Sequence, residues 1–372
     1  MGSKENRSCE TCKFRFGYDF CEPCLDHKLS YYEARDPHMK HRDVENHILD
    51  ASKEALKTYS FKEHDPNLPT GWWFQESEEG LVLFVVLYTQ ACRWSSCLSC
   101  NLPSECSLSK VGFREVINQI DYLMTLPAIT ARAPDIRKII LSNNGSVLDE
   151  QTLPSTALMY FVTQINLQWA HVRCFSLETR VDYVDTSELE WLSRALKDTD
   201  PPGDLELAIG FESFDDTIRN GALIKGLEKA DFEKLVKRMA RYHFRLKCYM
   251  MQKPVPGMRD TEALADIKDA IDYFSGLHEK HGVQINMHLN PTYVARGTQL
   301  EEAFKAGRYT PPLLQDVIRA VQYAEGKGIS VYVGLFDEGL ATVGGSFIRP
   351  GDEPLVAKLQ LFNRTGDYGV LA

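Results

Sequence analysis

No stretch of this 372-residue chain stays apolar for the roughly 18 residues that a membrane helix needs, so no membrane span is expected. The first residues, MGSKENRSCE, lack the apolar core of a secretory signal, and a cytoplasmic location follows as the expectation. Basic residues are in deficit. Lys and Arg number 42 against 52 Asp and Glu, a formal net charge of −10, which disfavours broad contact with nucleic-acid phosphates while leaving room for a local basic groove. Internal repeats and low-complexity tracts are also missing. What remains is 44% apolar and 25% charged, the balance of an ordinary globular protein. The length suits one large domain with appendages, or two domains.

Cysteine, in contrast, is abundant, and ten in such a chain argue for metal rather than disulfides. Four stand at Cys9, Cys12, Cys21 and Cys24, four at Cys92, Cys97, Cys100 and Cys106, and Cys174 and Cys248 stand alone. The first four make two CxxC knuckles that together offer a tetrahedral thiolate set, the pattern of structural zinc. Zinc there would fold a segment too short to have a core. An auxiliary iron–sulfur cluster and a redox role are the alternatives. Lys13, Phe14, Arg15, Phe16 and Tyr18 between the knuckles suit either a nucleic-acid or protein partner, or packing onto the rest of the chain.

From about residue 81, strand-like and helix-like segments alternate. Strands are expected at 81–89, 136–142, 169–178, 205–212, 245–252, 283–290 and 329–335. Helical spacing of apolar residues marks 112–126, 154–166, 229–243, a segment bearing Leu264, Ile267, Ile271 and Phe274, and 311–326. Alternation of this kind implies right-handed βαβ units and a parallel sheet. Spacing alone leaves a doubly wound sheet, a full barrel and a partial barrel open. The division expected is a four-cysteine zinc segment over 1–34, a partly helical linker over 35–80, the main domain over 81–335, and a short C-terminal extension over 336–372.

The loop Cys92-Arg-Trp-Ser-Ser-Cys97-Leu-Ser-Cys100 follows the first of these strands. Loops at the C-terminal ends of parallel strands are where α/β folds keep their active sites. A [4Fe–4S] cluster is normally held by four thiolates, and three would leave one iron open to a ligand. A structural zinc site with Cys106 as fourth ligand, and plain unligated thiols, are the other readings of this spacing. Cys174 and Cys248 read as small buried hydrophobes.

Several stretches carry a family resemblance: ACRWSSCLSC (91–100), LSNNGSVLDE (141–150), SLETRVDY (176–183), AIGFESFDDTIRNGALIKG (208–226), LKCYMMQKP (246–254) and LNPTYVARGTQLEEAFKAGRYTPP (289–312). In this order, they resemble radical S-adenosylmethionine (SAM) enzymes of the branch containing the elongator catalytic subunit. Within that branch the chain is most similar to the radical SAM partner of archaeosine synthase. The loop departs from the commonest spacing, being Cx4CxxC rather than Cx3CxxC, and Ser99 stands where an aromatic residue is usual.

The resemblance implies a partial (β/α)6-type parallel barrel whose Cys92, Cys97 and Cys100 hold a [4Fe–4S] cluster. SAM would be bound by Asn143, Asn144, Gly145, Ser146, Glu178, Arg180 and Glu212, with Arg180 taking its carboxylate through two parallel bonds. Lys247, Tyr249 and Lys253 are the candidates for moving a proton or hydrogen atom, and Asn290, Thr292 and Arg296 for touching substrate. The substrate itself stays open between a modified tRNA base, a small molecule and a peptide. An electron donor such as ferredoxin or flavodoxin is implied with it. Two readings of another kind remain: a non-catalytic zinc-dependent interaction protein, and an iron–sulfur redox protein that does not use SAM.

Overall fold

The structure is a computed structural model describing residues 41–169, 171–198, 202–337 and 339–372. Cys9, Cys12, Cys21 and Cys24, and the zinc segment expected there, lie outside the described residues. Eight strands form one sheet in chain order: β1 (Gly71–Ser77), β2 (Gly80–Val86), β3 (Ile136–Ser142), β4 (Cys174–Thr179), β5 (Asp204–Glu212), β6 (Arg245–Gln252), β7 (Ile285–Pro291) and β8 (Ser330–Val333). From β2 to β8 every neighbouring pair is parallel. β1 joins β2 as an antiparallel hairpin. The sheet is the curled wall of a partial β/α barrel, as the resemblance implies.

Apart from the single turn Pro127–Thr130, the α-helices among the described residues are α1 (His41–Glu54), α2 (Phe113–Thr125), α3 (Ser155–Gln168), α4 (Thr186–Lys197), α5 (Lys229–Tyr242), α6 (Asp260–His281), α7 (Gln299–Lys305), α8 (Leu314–Gln322) and α9 (Glu353–Thr365). None among the described residues is long and apolar enough to cross a membrane. Their apolar stripes cover the outward residues of the strands. Val116, Ile120 and Leu123 of α2, Leu235 and Met239 of α5, and Ile267, Ile271 and Phe274 of α6 are fully buried in one continuous core. The alternation along each strand then leaves the other face to line the barrel interior.

Besides the short α7 and, in the C-terminal segment, α9, two elements were not expected from the sequence. Residues 71–77 sit inside the expected linker yet supply β1, in which Trp73 stacks on Phe84 of β2 at 4.3 Å between ring centroids. α4 links β4 to β5, where no helix was expected. Its N-terminus is capped by Asp185, whose carboxylate accepts from the backbone of Ser187 and Glu188.

Helix α9 protects the edge strand β8. The Asn363 side chain of α9 both donates to the Val333 carbonyl and accepts from the Val333 N–H, each at 2.8 Å. A side chain thus satisfies backbone groups that an open sheet edge leaves bare. At the N-terminal end of the barrel the interior is closed by ions. Lys138 bonds Glu79 at 2.7 Å and Glu206 at 2.8 Å, and Arg245 bonds Glu79 at 2.5 Å. Glu206 is fully buried, and despite burial, the charges of Lys138, Lys247 and Arg245 hold its carboxyl well below the usual range.

Candidate functional site

The loop bearing Cys92, Cys97 and Cys100 leaves the C-terminal side of β2 and is fastened from three directions. Arg93, 5% exposed, makes a bidentate pair with Asp149, both bonds at 2.7 Å. That pair ties the loop to the turn after β3. Trp94 donates to the Ile224 carbonyl at 2.9 Å, and the Leu98 N–H to Leu223 at 3.0 Å, tying it to the loop after β5. The third fastening comes from outside the barrel. Lys57, 5% exposed, reaches under the cysteines and donates to the carbonyls of Ser95 at 2.7 Å and Cys97 at 2.8 Å, with Cys100 at 3.4 Å. Its backbone neighbour Thr58 is held to Gly297, on the loop after β7, at 3.0 Å.

The three cysteines carry free thiols close enough to influence one another's charge. Burial pushes the Cys100 thiol up to about 12, with Lys57 pulling the other way and Cys97 adding to the rise. Burial likewise raises Cys97, against Lys225 and Arg180. Cys106 is buried in a small apolar cluster with Val44, Ile48 and Ala91; burial raises its pKa, and Cys92 lies near enough to add to the rise. Among the described residues no three His, Cys, Asp or Glu side chains converge as the ligands of a single ion would.

Asn143, Asn144, Gly145 and Ser146 fold over Cys92. Gly145 approaches the loop closely, since a Cβ there would lie 3.3 Å from both Cα and Cβ of Cys92. The Asn143 side chain is spent on the turn itself, accepting from Gly145 N–H at 3.2 Å and donating to Thr152 at 3.3 Å. Ser146 accepts from the Arg180 N–H at 3.1 Å.

Arg180 meets partners within the chain: Asp182 at 2.7 and 2.9 Å, the Lys225 carbonyl at 2.9 Å, and the Trp94 ring at 4.3 Å. Glu212 pairs with Lys225 at 2.7 Å. Glu178 accepts from the Tyr249 hydroxyl, and burial raises its pKa although Ser142 and Tyr249 donate to it. Lys247 lies deeper in the barrel, bonded to Asn286 at 2.5 Å, its pKa lowered by burial to about 8 against the opposing pull of Glu206.

The remaining expected residues spread out. Lys253 turns to Asp260 at 2.7 Å and Thr310 at 3.3 Å, so its partners are not those of Lys247 and Tyr249. Arg296 is exposed and donates to the Gly339 carbonyl at 2.6 Å. Asn290 and Thr292 follow one another along the inward row of β7 and just past its end. Lys57, Arg93, Asp149 and His288 were absent from the expected set.

No protein-family model matches the chain. Among curated proteins, archaeosine synthase subunit beta of Methanosarcina acetivorans is 25% identical over 246 residues, 65% of this chain and 66% of that protein. The chain is similar to archaeosine synthase subunit beta. The same-named protein of Thermococcus kodakarensis is 23% identical over 265 residues, 69% of this chain and 77% of its own length. These relatives bear the name that the sequence resemblance indicated. Among solved structures, a queuine lyase from Clostridium spiroforme bound to SAM and queuine aligns with 74% of this chain and 95% of its own, at 16% identity and a TM-score of 0.42. An archaeal Elp3 of Methanocaldococcus infernus aligns with 60% of this chain and 53% of its own, at 16% identity and the same score.

Proposed function

We propose that this chain is a radical SAM enzyme whose Cys92, Cys97 and Cys100 hold a [4Fe–4S] cluster with one open iron. The observation that carries the reading is the construction of the cysteine loop: three thiols on a parallel strand's C-terminal side, pinned by Arg93–Asp149 and by the buried ammonium of Lys57. A loop with only packing to do has no need of two buried cations.

When bound, the cluster and SAM together supply a 5′-deoxyadenosyl radical, and the protein's work is positioning. Gly145 and Ser146 form the edge of the SAM site beside Cys92. Arg180 would meet the SAM carboxylate by exchanging Asp182 for it, and Glu178 with Tyr249 lies on the inner wall, where a ribose hydroxyl or ammonium would be held. Lys247 stands below them, a proton donor or acceptor near neutral pH. The relatives' name supports a second subunit as partner and a modified nucleobase as substrate class. An electron donor such as ferredoxin or flavodoxin belongs to the same reading, as does zinc on Cys9, Cys12, Cys21 and Cys24.

The test is replacement of Cys92, Cys97 and Cys100 together by alanine. Iron and the absorbance near 400 nm should be lost while the N-terminal metal stays. Unchanged iron would overturn the assignment.

A further inference from the structure

The inward row of β7 is polar at every position: Asn286, His288 and Asn290, continued by Thr292 just past the strand. The outward residues Met287 and Leu289 are fully buried in the apolar core. Asn286 has an occupation, accepting from Lys247 and donating to Ser330 at 2.9 Å. The residues above it do not. His288 is 6% exposed and its Nδ1 has no hydrogen-bond partner, and the same is true of the Oγ1 of Thr292, 2% exposed. Buried polar groups left without partners are unfavourable, and a bare imidazole nitrogen inside a barrel points to a ligand.

The surroundings define what that ligand offers. The Tyr249 and Tyr332 rings flank the His288 ring, with centroids 4.7 and 4.9 Å away. Burial first, then the charge of Lys247, holds His288 well below its ordinary pKa. A neutral imidazole has one donor and one acceptor. On the β8 side the backbone of Gly334 packs closely against the row, since a Cβ there would lie 3.0 Å from His288 Nε2 and would clash with Asn290 Oδ1. Arg180, Lys225 and Lys253 pair with Asp182, Glu212 and Asp260, while Lys247 is bonded to the neutral amide of Asn286 at the foot of the row. The row itself, Asn286, His288, Asn290 and Thr292, carries no lysine or arginine to hold a free carboxylate or phosphate.

We propose that the inward row of β7 is the substrate wall, with His288 as its central contact. The wall takes an uncharged group that presents a hydrogen-bond donor beside an acceptor, as the edge of a lactam ring or a carboxamide does. The amide of Asn290, the imidazole of His288 and the hydroxyl of Thr292 can each match such an edge. This inference rests on the radical SAM reading only for the word substrate, since the wall itself stands on the unpartnered groups.

The test uses the full cluster-loaded chain labelled with [15N]histidine and three probes: 2-pyridone, benzoate and benzylamine. The imidazole signals of His288 are those missing in His288→Gln. 2-Pyridone should move them at millimolar concentration, benzoate and benzylamine should not, and Asn290→Ala should weaken pyridone binding by about tenfold. Unmoved signals with pyridone, or an equal response to benzoate, would overturn the proposal. 5′-Deoxyadenosine is measured in the same unsubstituted preparation. Its absence beside a pyridone response would retire the radical chemistry and leave the wall, whereas its presence without that response would retire the wall alone.

Discussion

Replacing Lys57 with methionine should loosen the cysteine loop far more than a linker substitution ought to. Methionine retains an apolar stem and removes the ammonium. Two backbone carbonyls then lose donors at 2.7 and 2.8 Å. Charge-assisted bonds of this kind contribute about 1.5–3 kcal/mol each, roughly 3–6 kcal/mol together. Part of that is offset, because burial of the ammonium is itself unfavourable: burial lowers the Lys57 pKa, against Cys100, Cys97 and Cys92, which raise it. A net destabilisation of about 1–3 kcal/mol is expected without a cluster. It should be larger with one, since an anionic cluster held by three thiolates rewards a nearby cation. The assay is anaerobic: iron release to a ferrous chelator, with thermal melts of the loaded and cluster-free chain alongside. Lys57→Met should release iron about tenfold faster or more, the equivalent of about 1.4 kcal/mol, with Lys57→Arg in between. If Lys57→Met retains iron as the parent does, the ammonium is not a fastening of this loop.

Three further outcomes follow from the same geometry. Arg93→Met strands the buried Asp149 carboxylate and should lower stability by about 3–5 kcal/mol; Arg93→Lys should restore only part of it, because the fork is lost, and denaturant titration reads both. Lys247 has its pKa lowered from 10.5 to about 8, so between these values the unfolded chain binds more protons than the folded one and stability contributed by this residue rises with pH, at most about 1.4 kcal/mol per unit. Lys247→Met should therefore stabilise more at pH 7 than at pH 10, and a pH-independent difference in melting would contradict the shift. Replacing Cys9, Cys12, Cys21 and Cys24 by serine should remove about one zinc per chain; loss of iron in elemental analysis would instead identify a second cluster.

The barrel was legible because its signals are local. Apolar runs such as IRKIILS at 136–142 coincide with β3, and RLKCYMMQ at 245–252 with β6. α4 was missed although Asp185 to Glu188 carries an N-cap signal and Leu189, Leu192 and Leu196 recur on one face. The cysteines of the loop announce themselves by spacing. Lys57 does not, being one lysine in ALKTYSF whose carbonyl partners lie 38 to 43 residues away. Arg93 and Asp149 each sit in a stretch quoted for the resemblance, and their opposite charges were the available clue. His288 was visible in principle through the strict alternation of polar and apolar residues in NMHLNPT. The alternation marks a polar inner face, but only the structure shows that the histidine on it lacks a partner.

The cysteine loop should support SAM cleavage. Purified anaerobically, reconstituted with iron and sulfide, and mixed with dithionite and SAM, the chain should be brown and should form 5′-deoxyadenosine and methionine. Both products should vanish when Cys92, Cys97 and Cys100 are replaced by alanine. A colourless chain that carries zinc on these cysteines, or a brown one that leaves SAM intact, would contradict the account.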